Sequence, residues 1–67
     1  MKLKVLVHPA EEGGFWAEVP GLPGCVSEGE DLPETLSNIR EAAQGWIEVA
    51  TERAVAGVDA QVTEIEL

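Results

Sequence analysis

The stretch from Phe15 to Ile47, FWAEVPGLPGCVSEGEDLPETLSNIREAAQGWI, decides how this chain folds. It opens on a short alternating run. Phe15, Ala17 and Val19 fall on one side and Trp16 and Glu18 on the other, the period of a strand with one buried face. Pro20-Gly21-Leu22-Pro23-Gly24 breaks that period. Two prolines fix φ and two glycines permit positive φ, so the segment reads as a rigid corner between strands. Cys25 to Glu28 is a short third strand, closed by Gly29.

A helix follows, expected over Asp31 to Ala54. Asp31 with Glu34 three residues later makes a capping-box-like start and puts acid at the positive end of the helix dipole. Pro33 lies in the first turn, where its missing N–H costs nothing. Leu36, Ile39, Ala43, Trp46, Ile47, Ala50 and Ala54 fall within about 100° of arc. Glu34, Glu41, Glu48 and Glu52 form a row on the far side. Gly45 sits in the exposed part of the helix, where it costs up to about 1 kcal/mol relative to alanine, and no pattern in the chain explains it.

Working outward, Lys2 to His8 alternates as well. Leu3, Val5 and Val7 share one face, and Lys2, Lys4, Leu6 and His8 the other. Pro9 is expected to end this first strand, and Pro9 to Gly14 to form a hairpin loop. After the helix, Gly57 fits a stop. Ala60 to Leu67 alternates again and reads as a closing strand. The reading is thus one α+β domain over residues 1–67 with element order β-β-β-α-β. A right-handed crossover would return the last strand beside the first, giving a four-stranded mixed sheet of order 3-2-1-4 with one helix on one face. The uncovered face would carry Leu6, Trp16, Val26 and Val62, a contact surface for a second copy. An edge strand is the other route to a dimer.

Composition narrows the function. Sixty-seven residues bury a thin core, and the single cysteine forbids an internal disulfide. One histidine and one cysteine cannot supply a tetrahedral zinc site, so no metal and no cofactor is expected. Self-association is the remaining route to stability, most simply as a homodimer. The start, MKLKVLVHPA, is too short an apolar run for a signal peptide, and no membrane span is present, so a cytoplasmic protein is expected. Net charge is −9, with 13 acids against four Lys and Arg. Lys2 and Lys4 open the chain; only Arg40 and Arg53 follow. Without a basic cluster, direct DNA or RNA binding is disfavoured. An acidic surface instead attracts a basic partner.

No residue set points to catalysis. Cys25 would need an adjacent base to act as a nucleophile, and His8, the only histidine, lies at the far end of another strand. A buried packing role is expected for Cys25, and a half-exposed strand-end position for His8. Trp46, at the edge of the helix stripe, is expected to pack on the sheet.

Between Phe15 and Ile47 the residues resemble the HicB family of antitoxins. The match is carried by Phe15-Trp16-Ala17-Glu18, Pro20-Gly21-Leu22-Pro23-Gly24-Cys25, Ser27-Glu28-Gly29, and then Leu36, Asn38, Glu41-Ala42 and Trp46. The resemblance covers about half the chain and implies a partial ribonuclease-H-like fold. Gly21 departs from the family's frequent acid and Glu30-Asp31 from its usual Asp-Thr. Many members continue into a C-terminal DNA-binding segment; the sequence stops at Leu67, so that role is not carried over. The fold invites a nuclease reading, but no converging set of carboxylates can be drawn to hold metal ions, and a non-enzyme is expected. The resemblance implies a binding module that neutralises a small basic HicA-type, messenger-RNA-cleaving toxin by occluding its RNA site. Glu34, Glu41, Glu48, Glu52 and Leu22 are the candidate partner-binding residues. The alternative is a stand-alone structural or regulatory homo-oligomer with no toxin partner.

Overall fold

A computed structural model covers residues 1–67. Three strands and one helix form: β1 (Leu6–Pro9), β2 (Phe15–Glu18), β3 (Val26–Gly29) and α1 (Leu32–Val55). The strands make an antiparallel sheet of order β1-β2-β3. Val7 lies opposite Ala17, and Ala17 opposite Ser27. Period-two alternation therefore sends Val5, Val7, Ala17 and Val19 to one side, and Leu6, His8, Trp16, Glu18, Val26 and Glu28 to the other.

The helix covers β3 and β2 and makes no close approach to β1. Ala17, Val19, Cys25, Ile39 and Ala43 are buried between sheet and helix, with Val5, Leu22, Ala42 and Trp46 packed around them. Thr35 is fully buried at the helix start. Its hydroxyl donates to the Asp31 carbonyl oxygen at 2.7 Å, and its backbone N–H reaches the same oxygen at 3.0 Å. No buried side-chain polar atom lacks a partner, as a core this small requires.

Local chemistry sets the connections. In the β1–β2 loop, the Ala10 N–H donates to the Gly14 carbonyl at 3.0 Å. Gly14 has φ +74°, and a Cβ there would lie 2.5 Å from the Gly29 carbonyl oxygen. Only glycine satisfies both the left-handed backbone and the close approach. In the Pro20–Gly24 corner, Leu22 N–H donates to Val19 O at 3.0 Å and Cys25 N–H to Leu22 O at 2.9 Å. These two turns reverse the chain between β2 and β3. Asp31 caps the helix: its Oδ1 accepts the Glu34 N–H at 2.8 Å from extended backbone.

Two expectations are corrected. The closing strand does not form: Ala60–Leu67 pairs with nothing and is exposed throughout. The sheet is three-stranded and wholly antiparallel, not four-stranded and mixed. A strand needs a partner backbone for its hydrogen bonds, and alternation alone cannot supply one. In consequence Val62 is not on the open sheet face but on the exposed C-terminal segment. The second correction concerns β1. It begins at Leu6 and keeps Pro9, which sits opposite Phe15. Proline is tolerated there because β1 is an edge strand whose outward side has no ladder to break.

Candidate functional site: an acidic helix face above a structural signature

Part of the set of residues that carries the family resemblance turns toward the sheet–helix seam. Cys25 is a free thiol buried in the core. Asn38 donates through Nδ2 to the Glu28 carbonyl at 2.8 Å, and Trp46 through Nε1 to the Pro23 carbonyl at 2.9 Å. Both bonds tie the helix to β3 and to the corner before it. Gly29 faces the first helical turn so closely that a Cβ would meet the Thr35 backbone N at 2.6 Å and its Cα at 2.9 Å. These residues of the signature therefore dock α1 on the sheet. The signature contains no nucleophile beside a base.

Of the partner-binding candidates, Glu34, Glu41, Glu48 and Glu52 are all exposed. At 100° per residue they fall within about 40° of one another, opposite the buried line of Ile39 and Ala43. From first to last the row spans about 27 Å. Arg40 and Arg53 are the helix's only cations, and neither forms an ion pair with the row. The row is thus a solvated, unneutralised strip. Leu22 is placed differently. It is half-buried and packs on the core, leaving only part of its side chain at the surface.

A second feature was visible in the sequence only as a shared face. His8 stacks on Trp16, with ring centroids 4.2 Å apart and planes inclined by 21°. Its Nε2 lies 2.9 Å from Glu18 Oε2, the one ion-pair contact in the chain. Leu6 and Val26 flank this group on the open sheet face, Val26 at 58% exposure and Trp16 at 36%. The alternation of β1 and β2 placed these residues on one face; the cross-strand register His8–Trp16 joined them.

No group of three or more His, Cys, Asp and Glu side chains is placed to hold a metal. No helix is long and apolar enough to cross a membrane. Gly45 has no heavy atom within 4 Å of where a Cβ would stand. It lines a shallow groove along the β3 edge with Glu41, Trp46 and Val49.

The architecture is that of a small α+β domain with one acidic helix face. The chain belongs to the HicB-like antitoxins of bacterial toxin–antitoxin systems, whose family model matches residues 3–66. It is similar to a UPF0150 protein of Synechocystis, 33% identical over 69 aligned positions that cover all of this chain and 94% of the relative. A UPF0150 protein of Thermoplasma acidophilum is 42% identical over 48 positions, 72% of this chain and 70% of the relative. One from Helicobacter pylori is 50% identical over 37 positions, about half of each chain. No solved structure matches the chain.

Proposed function

We propose that this chain is an antitoxin that neutralises a small basic HicA-type, RNA-cleaving toxin, with the acidic helix face as its docking strip. The observation that carries the reading is the row Glu34, Glu41, Glu48 and Glu52: exposed, unpaired and opposite the face that closes the core. A toxin that grips RNA phosphates must present clustered cations. A carboxylate strip about 27 Å long competes for those cations and covers the RNA site. Family membership supports an antitoxin role, and the charge of −9 supports fast, salt-sensitive association with a basic partner. Leu22, at the corner, offers a separate small apolar contact. The protein acts here by occupation, with no catalytic step of its own.

The test is co-expression with the product of the adjacent reading frame, which this reading expects to be short and strongly basic. A stoichiometric complex that abolishes RNA cleavage is expected. Replacing the four glutamates together with glutamine should slow association at least tenfold at low salt and leave the fold intact, because none of the four side chains is buried. A complex that forms at the same rate with all four replaced, at low and high salt alike, would remove the helix face from the mechanism.

A further inference from the structure

The helix leaves one flank of the sheet open. Between the segment before β1 and α1 runs an apolar groove lined by Leu3, Val5, Leu36, Ile39, Arg40 and Ile47. Leu36 and Ile47 belong to the apolar helix stripe, yet they are 44% and 38% exposed. Met1–Val5 precedes β1 and is in no strand, and the outward side of β1 pairs with nothing. An unpaired edge beside an apolar groove is a seat for one more strand.

The chain itself contains a segment of the matching pattern. In Ala60–Leu67, Thr63, Ile65 and Leu67 share one face, and Val62, Glu64 and Glu66 the other. With Ile65 and Leu67 turned into the groove, Glu64 and Glu66 point to the opposite side of the sheet. That is the side on which alternation places Lys2 and Lys4. Those two lysines and Arg40 are three of the four Lys and Arg residues in the chain. Lys2 and Lys4 thus lie beside the unpaired β1 edge, one of the two open edges of the sheet, and the segment that fits the apolar side of that edge carries two carboxylates on its polar side. Either strand direction preserves this match, because side-chain facing depends only on the period of two.

Within one copy, the segment stands away from that seat. The helix runs about 36 Å, and every residue after Ala50 is exposed. The radius of gyration is 14.8 Å, against about 11 Å for a compact chain of this length. An arm held off its own body, ending in a strand that completes the body's sheet, is the arrangement from which copies exchange elements.

We infer that Ala60–Leu67 of one copy adds as the fourth strand to the β1 edge of a second copy, and reciprocally, so that the protein is a strand-exchanged homodimer. The exchange fills both grooves and pairs both β1 edges. It also adds core to a domain whose own core has five buried residues. This inference does not depend on a toxin, so the two proposals fail separately.

Light scattering on the purified full chain should give twice the 7.1 kDa mass of one copy. Ile65→Glu should weaken the dimer at least tenfold, and Ile65→Val should retain it. Lys2→Glu with Lys4→Glu should weaken it as well, and adding Glu64→Lys with Glu66→Lys should restore it. Carrying Leu3→Cys in one tagged copy and Ile65→Cys in a differently tagged copy, a short bis-maleimide should join the two copies. A monomeric parent protein overturns the inference. So does a dimer indifferent to Ile65→Glu, or a linker that joins these positions only when both cysteines are in the same copy, since the segment then closes on its own sheet.

Discussion

Lys2–His8 and Ala60–Leu67 are the same kind of sequence. Both alternate apolar and polar residues, both are short, and each lies at one end of the chain. Yet part of the first becomes strand β1, whereas the second forms no regular structure. The difference is the neighbour. A five-residue connection brings β1 onto β2, and the Ala10–Gly14 hydrogen bond and Gly14's left-handed backbone close that hairpin. The C-terminal segment follows a helix that carries it beyond the sheet, where no backbone is within reach. A strand's hydrogen bonds are non-local, and a hairpin provides them at low entropic cost while a long crossover does not.

The same contrast runs through the whole molecule. Every buried residue lies between Ala17 and Ala43. Disturbing that interval should therefore cost far more than disturbing the last third of the chain. The severest test is Ile39→Ala, at 2% exposure the most enclosed of the large side chains. A loss of about 2–5 kcal/mol is expected, enough to unfold a domain of this size, and urea denaturation followed by circular dichroism measures it. A variant that stays folded with a midpoint near the parent's would mean that the core lies elsewhere.

Next is Gly29→Ala. Its Cβ must push into the Thr35 backbone, so the first helical turn has to lift from β3. Overpacking of this kind costs about 1–3 kcal/mol. Amide exchange at Thr35 and Leu36 should quicken before the rest of the helix responds. Asp31→Ala removes the cap that Glu34 N–H uses and should cost about 1 kcal/mol, seen as a lower thermal midpoint.

Gly45→Ala should act in the opposite direction. With open space at the Cβ position, alanine stabilises the helix by up to about 1 kcal/mol. If the same variant weakens toxin binding, the β3-edge groove that Gly45 lines is part of the partner surface. The smallest effect is expected at the chain end. Under dilute conditions where the protein is monomeric, Ile65→Glu should change stability by less than about 0.5 kcal/mol. A large loss there would show that the segment packs on its own sheet and would erase the contrast between the two ends.

The candidate site divides in the same way. The acidic row was legible at once, because a helix has a fixed period and its glutamates need only water as a neighbour. Leu22 was legible as an apolar residue in a tight corner, but its packing on the core depended on how that corner meets the helix. The stacked His8 and Trp16 could be assigned to one face from alternation. Their contact at 4.2 Å required the β1–β2 register.

By itself the sequence determined what depends on residues near one another along the chain. These are the strand and helix periods, the Asp31 cap, the rigid Pro-Gly-Leu-Pro-Gly corner, the hairpin loop and the separation of acids from the apolar helix stripe. Backbone sterics and hydrogen bonds over a few residues settle all of them. Tertiary structure alone decided which alternating segment finds a partner and which side of the sheet the helix covers. It also revealed that the signature residues Gly29, Asn38 and Trp46 serve to dock the helix. Those outcomes depend on where a helix of 24 residues lies against a sheet only three strands wide, and geometry at that distance is not written in any local run of residues.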